Sequence, residues 1–290
     1  MIGSASSPLA YPTRPRWTWI SRAARALLSL VLVVLALVLT SNLQAQVDPA
    51  AHADSKAAPV ELTVFAAADM QPVLEVLTPY FERRTGIKLK VSFGSSAVLS
   101  EQVVNGAPAD IFLSADFTFA ERVVAAGKAD SINPTPYAKG TLVLWERKDG
   151  PFQPLSLDTL QRKDLRSVAI ANPDHAPYGR AALAAIKKLK YFPNVQPHLV
   201  QAESVGQAAQ FALSGNAQLA LMSQTIAMSG KYKQAGTFVL FPAVTYLEIR
   251  QCAVVLQNAR HRKEAHVFLN YLTSDEIQQH LPELGLQPVP

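Results

Sequence analysis

Five short segments carry the residues best suited to chemistry: Ala68-Asp69-Met70, Gly94-Ser95-Ser96, 172–179 (NPDHAPYG), Glu203-Ser204-Val205 and Ser223-Gln224-Thr225. Each stands where a strand pattern gives way to a helical one. At four of the five a Ser, Asp or Asn is placed to accept from first-turn amides. Taken singly, each is an ordinary helix cap. Taken together they gather small hydroxyls and helix starts, which bring unpaired N–H groups and a positive partial charge, with Arg180 the only cation beside them. That donor set suits an oxyanion held by neutral groups.

Other chemistry finds less support. His261 and His266 stand five apart, whereas a zinc-protease helix needs its histidines at i and i+4, so this segment reads as a solvated helix start. His175 has no clustered Cys or carboxylate and reads as a residue that orders its loop. The chain has no G-x-S-x-G, no G-x-x-x-x-G-K-[ST] and no Cys/His cluster, which leaves hydrolase, nucleotide and zinc readings without a motif. Asp69 as a general base would need a second catalytic group, and the sequence offers none. Cys252 is the only cysteine and lies in an apolar run, 247–256, that reads as a buried strand; it is a packed thiol, and no internal disulfide is possible.

The elements that must position these residues alternate. Strand patterns at 61–67 (ELTVFAA), 88–93 (KLKVSF) and 109–114 (ADIFLS) are separated by helical spacing over 69–84 and 95–104, and a short helix follows at 119–126. A second section begins with a strand at 140–145. It continues with a helix start at 156–160, strands at 167–171, 198–200 and 219–222, helices at 179–189 and 205–213, a polar stretch at 231–236 and a strand at 238–241. The strand at 247–256 and a helix at 261–272 follow. Such alternation predicts an α/β fold of two lobes, each a mostly parallel sheet flanked by helices, with a cleft at the carboxyl ends of the strands. Within it Asp69 is expected to cap the helix that follows, its carboxylate accepting from the N–H of Gln71; the alternative turns the side chain into the cleft, where a dianion would raise its pKa and demand a proton.

The 290 residues carry 49% hydrophobic and 17% charged residues, which argues against a disordered chain. The formal charge of +5 suggests a nucleic-acid binder until the charges are placed. Residues 1–45 hold Arg14, Arg16, Arg22 and Arg25 and no acid, so setting them aside takes +5 less 4 to +1. No nucleic-acid partner is expected. The arginines precede an apolar stretch at 26–39, about 14 residues and too short to span a bilayer as a helix, so 1–45 reads as a signal peptide and 46–58 as a flexible leader. Cleavage motifs at 43–45 and 51–53 put the exported terminus near Gln46 or Asp54. No cysteine lies nearby to carry a lipid.

The runs Val64-Phe65-Ala66-Ala67-Ala68, Ser92-Phe93-Gly94-Ser95-Ser96, 106–116 (GAPADIFLSAD) and 172–179 occur in the same order in a known family, and the chain resembles the periplasmic molybdate-binding proteins of ABC-type transporters. The resemblance runs from Leu62 to the C-terminus. It implies the two-lobed fold of type II solute-binding proteins, with lobe one at 59–139 plus 250–290 and lobe two at 140–249. Carried over by position, it implies oxyanion ligands at Asp69, Ser96 with Ser95 beside it, a backbone N–H at Tyr178, another at Val205, and Ser223. Asp69 replaces a usual serine, and Ser223 replaces a tyrosine found in some members. These groups would touch molybdate through its oxygens, with no direct metal ligand.

The resemblance further implies capture of molybdate, with tungstate, and delivery to an ABC permease. The protein would be a periplasmic monomer without cofactor and without enzymatic activity. The alternatives are a related binding protein for another small anion or polar solute, and a ligand-sensing module.

Overall fold

The computed structural model describes residues 59–289; the expected signal peptide and leader lie outside these residues. β1 (Glu61–Ala67) leads through a 3-10 turn (Ala68–Met70) into α1 (Gln71–Thr85), followed by β2 (Lys88–Gly94), α2 (Ser96–Val104), β3 (Ile111–Ser114), α3 (Phe117–Ala125) and β4 (Thr135–Gly140). β5 (Leu142–Arg147) comes next, then a 3-10 turn (Leu157–Gln161), β6 (Val168–Ala171), α4 (Pro177–Lys188) and α5 (Phe192–Val195). The chain continues through β7 (Leu199–Ala202), α6 (Val205–Leu213), β8 (Leu219–Ser223), α7 (Gln224–Met228), α8 (Gly230–Ala235) and β9 (Gly236–Leu240). β10 (Ile249–Val255), α9 (Arg262–Leu272), α10 (Asp275–His280) and β11 (Leu286–Gln287) complete it.

The strands form two sheets. One runs β11-β4-β10-β3-β1-β2 and the other β7-β6-β8-β5-β9. The chain passes from the first to the second through the single residue Thr141, and returns between Leu240 and Ile249. Both sheets are mixed, where mostly parallel sheets were expected. β1 pairs in parallel with β2 and β3, and β6 with β7 and β8, but β10 runs against β3 and β4, and β5 runs against β8 and β9. The reason is connectivity: a strand entered directly from the other sheet, without a crossover helix, can run against its neighbours.

Local sequence explains the elements. α1 buries Val73, Leu74, Leu77 and Phe81 on one face, has Pro72 in its first turn where no N–H is needed, and stops at Gly86 in the left-handed conformation. Phe81 meets Phe268 of α9 edge-on, with ring centroids 5.0 Å apart. In the second sheet's layer small residues let helices lie close: Ala181, Ala182 and Ala185 of α4 and Ala208, Ala209 and Ala212 of α6 are all buried. A Cβ at Gly179 would come within 2.2 Å of the Ala171 carbonyl oxygen, so α4 can start against β6 only with glycine there. Trp145 anchors this core, its indole N–H donating to the Tyr232 carbonyl over 3.3 Å.

Three expectations are corrected. The strand expected over 140–145 is β5 and begins at Leu142; a further strand, β4, precedes it and ends at Gly140, its residues Pro136 and Lys139 giving little β pattern although it packs between β10 and the short β11. The polar stretch at 231–236 contains helix α8, whose one buried side chain, Tyr232, carries no periodic signal. Residues 275–280 form α10, capped by Ser274, and were not anticipated.

Candidate ligand-binding cleft

The carboxyl ends of β1, β2 and β3 on one side and of β6, β7 and β8 on the other meet. The contacts across this seam are specific. The Ala97 amide donates to the His175 carbonyl over 3.1 Å. The Ser95 hydroxyl reaches Glu203 Oε1 at 3.4 Å, and the same carboxylate oxygen pairs with His175 Nδ1 at 2.8 Å. Thr225 Oγ1 donates to the Asp69 carbonyl over 2.7 Å. A Cβ on Gly206 would stand 3.3 Å from the Ala68 Cβ, so α6 begins almost in contact with the end of β1. On the flank, Arg180 of α4 pairs with Asp116, which caps α3 by accepting from the Phe119 amide, and its guanidinium lies 5.1 Å from the centre of the Phe119 ring.

Each expected site residue is buried in this seam, from 0% exposed for Asp69 and Ser223 to 4% for Ser95 and Val205. Ser95 caps α2, accepting from the Val98 amide. Ser96 opens that helix, and its hydroxyl accepts from the Ala115 amide over 3.1 Å, which leaves its own proton free to donate. Val205 is the first residue of α6, capped by Ser204. Ser223 caps α7 and shares a hydrogen bond with Thr225 over 2.8 Å. The starts of α2, α6 and α7 therefore lie on this seam with their hydroxyls; the Ala97 and Gln224 amides there donate to the His175 and Thr141 carbonyls, and Ser223 donates to Thr225, whose own proton goes to Asp69. Ser96 and Ser223 do not bond to each other; the link from Ser223 across the seam runs through Thr225 to Asp69.

Asp69 departs from its expected cap. The 3-10 turn Ala68–Met70 precedes α1, so Asp69 lies inside a turn instead of at its edge, and the Gln71 amide it was expected to bind donates to the Ala68 carbonyl. The carboxylate turns instead toward β10, where Oδ2 accepts from Gln251 Nε2 at 2.5 Å. Gln251 Nε2 also reaches the Tyr178 hydroxyl at 3.5 Å. Tyr178 therefore contributes a buried phenol as well as a backbone position near a helix start. Burial pushes the Asp69 carboxyl up to about 6, against lowering by Gln251, its own backbone and Tyr178. Burial, with the nearby Asp69 charge, holds Tyr178 and Tyr137 well above the usual phenol range.

Gln251 and Asp116 were missed as participants, and Glu203, Thr225 and Arg180, which stand in or beside the expected segments, had been given no role of their own. A lone glutamine inside the apolar run 247–256 was the one signal that could have drawn attention to Gln251. No group of three or more His, Cys, Asp or Glu suited to a metal ion occurs among the described residues. A groove of about 540 Å³ opens beside the seam, bordered by Ala68, Pro72, Phe93, Ser204, Gly206 and Lys231.

Two sheets whose strand ends face one another across a seam of helix starts define a solute-binding protein. The chain belongs to the family of bacterial extracellular solute-binding proteins, whose pattern matches residues 62–287. It is 31% identical over 229 residues to the molybdate-binding protein ModA of Rhodobacter capsulatus, covering 79% of this chain and 89% of that one. With ModA of Azotobacter vinelandii the identity is 32% over 229 residues, covering 78% and 89%. Among solved structures, the periplasmic molybdate-binding protein of Azotobacter vinelandii superposes with a TM-score of 0.71 at 30% identity, covering 79% of this chain and 99% of that one. The sulfate-binding protein SubI of Mycobacterium tuberculosis shares the fold, with a TM-score of 0.68 at 20% identity, covering 79% and 87%.

Proposed function

We propose that this protein is an extracytoplasmic binding protein that captures molybdate, and tungstate with it, and delivers it to the permease of an ABC transporter. The observation that carries the reading is the convergence of Ser95, Ser96, Val205 and Ser223 on one buried seam, where hydroxyls and helix-start amides meet and no lysine or arginine stands among them. Such donors stabilise a dianion stripped of water without neutralising it, because dipoles and N–H groups replace its hydration shell. The similarity to ModA proteins supports molybdate as the dianion. Selectivity over sulfate would follow from cavity size, since the same donors serve any tetrahedral dianion.

In this reading the six-stranded sheet with its helices is lobe one, at 59–139 plus 250–290, and the five-stranded sheet is lobe two, at 140–249, with the boundary residues Gly140 and Ile249 shifting to lobe one because they end β4 and open β10. The lobes part to admit the ligand and close by the contacts across the seam. The oxyanion is bound by Ser95, Ser96, the backbone at Tyr178 and Val205, and Ser223, with Asp69 at its margin. The protein works as a monomer in the periplasm, after removal of an N-terminal signal, and transforms no substrate.

Isothermal calorimetry against molybdate, tungstate, sulfate, phosphate and a set of amino acids tests this. Saturable binding of molybdate and tungstate, with sulfate at least a hundredfold weaker, is the expected outcome. Binding of a cationic amino acid and none of the oxyanions would overturn it and give Asp69 the role of a charge partner.

A further inference from the structure

The Asp69–Gln251 contact is one proton short. Asp69 is 0% exposed and so is Gln251, yet Asp69 Oδ1 and Gln251 Oε1 have no hydrogen-bond partner. Both atoms are acceptors, and a buried acceptor left without a donor is costly. The ionisable groups facing Asp69 supply no positive charge to hold a carboxylate there. They are Tyr178 from α4 and Tyr137 from β4, with Tyr246 beyond Tyr178 and Cys252 beyond Tyr137, all uncharged at neutral pH. A single proton repairs the set: carried on Oδ1, it donates to Gln251 Oε1 while Oδ2 goes on accepting from Nε2, a cyclic acid–amide pair in which both orphan acceptors gain a partner.

The burial that creates this shortage comes from both sheets. Thr225 and Tyr178, which belong to the five-stranded side, close over Asp69, while Gln251 lies on a strand of the six-stranded side. Parting the two sides would return the carboxylate to water, where it needs no proton above pH 4.

We propose that the Asp69–Gln251 pair is a proton-binding site filled when the cleft closes, so that the protein captures its oxyanion together with a proton. The inference rests on the functional reading above and adds a second bound species to it. A neutral Asp69 also removes the repulsion that a carboxylate would direct at a dianion in the adjoining site, so proton and oxyanion each favour the other's binding.

Calorimetry with sodium molybdate at pH 5.5, in two buffers of different ionisation enthalpy, counts the protons taken up. A carboxyl moving from about 4 when open to about 6 when closed takes up roughly 0.7 proton per ligand at that pH, and affinity falls roughly fourfold between pH 5.5 and 7.5. The His175–Glu203 pair borders the same seam from the five-stranded side and is the competing source of a proton, so His175→Asn is measured beside Asp69→Asn. Uptake that vanishes in Asp69→Asn and persists in His175→Asn is the expected result. A wild type that binds molybdate without proton uptake overturns the proposal, as does uptake that survives in Asp69→Asn. If Asp69→Asn does not fold, the wild type and His175→Asn decide by the same criterion: uptake that survives in His175→Asn supports the proposal, and uptake lost there overturns it. A wild type that binds no oxyanion at any pH removes the functional reading itself, and the proposal with it, which is a different result from binding without uptake.

Discussion

The amide of Ala97 and the carbonyl oxygen of His175 lie 3.1 Å apart, tying the first turn of α2 to the loop before α4. This is a backbone bond between the layers of the two sheets, so it forms only when the strand ends face each other at this spacing. The neighbouring Ser95–Glu203–His175 chain depends on the same approach. Ligand affinity in such an arrangement includes the free energy of bringing the two sides together, and groups that never touch the ligand contribute to it.

Arg180 and Asp116 are such groups. Their ion pair bridges the flank of the seam and is partly exposed, which places its contribution at up to about 1 kcal/mol. Arg180→Ala is expected to weaken molybdate binding about two- to fivefold, mostly through faster release, and the difference from wild type should shrink in high salt. An unchanged dissociation rate in stopped-flow fluorescence would show that the pair plays no part in closure.

Ser96→Ala removes a hydroxyl that can donate to a charged ligand and leaves the Ala115 amide without its acceptor. Affinity is expected to fall by roughly ten- to a hundredfold. The melting temperature should drop measurably while the protein stays folded, because a buried donor goes unpaired. Circular dichroism together with calorimetry separates the two effects.

Gly140 closes β4 beneath the Tyr178 phenol. A Cβ there would stand 2.1 Å from the tyrosine hydroxyl oxygen and 2.9 Å from the ring carbon that bears it. Gly140→Ala therefore has to push Tyr178 out of a fully packed position, with an expected loss of about 1–3 kcal/mol in denaturant unfolding. Adding Tyr178→Phe, which removes the clashing oxygen, should recover part of that loss.

The Asp69 carboxyl, pushed up from 3.8 to about 6 by burial, gives the folded state a proton that the unfolded chain has already lost. Its contribution to stability is therefore present below pH 4 and is lost as pH rises through 6, by at most about 3 kcal/mol. Asp69→Asn removes that slope. Urea unfolding between pH 4.5 and 7.5 should show the variant gaining on the wild type as pH rises, and parallel curves would refute the burial of the charge.

The Cys252 thiol is pushed well above its ordinary range by burial, and it donates to the Asp116 carbonyl. It is expected to resist iodoacetamide at pH 8 in the folded protein and to react fully in guanidinium. Rapid labelling of native protein would show that β10 opens readily.

The parts of this fold legible in sequence are those with a local cause. Helix α1 announces itself through Val73, Leu74, Leu77 and Phe81 and through Gly86, and the helix starts at Ser95, Ser204 and Ser223 follow from hydroxyls at the ends of apolar runs. What could not be read has a distant cause. Asp69 stands where a cap is plausible, and only the position of Gln251, 182 residues later, turns its carboxylate away. β4 is a strand because β10 and β11 lie on either side of it, although its own residues, TPYAKG, carry little β pattern. The gathering of Ser96 and Val205 in one seam is likewise a property of two sheets, which no single segment encodes.

The place of β10 in the first sheet also dictates an order of assembly. β10 lies between β3 and β4, yet it is encoded after every strand of the second sheet. A growing chain can complete the five-stranded sheet once residue 240 is available, because all its strands lie in one continuous stretch. The six-stranded sheet has to wait, holding the edge of β3 unpaired until residues 249–255 arrive and search for it across more than a hundred intervening positions. Until then that edge can pair with another chain, and a chain ending before residue 249 would keep it open indefinitely.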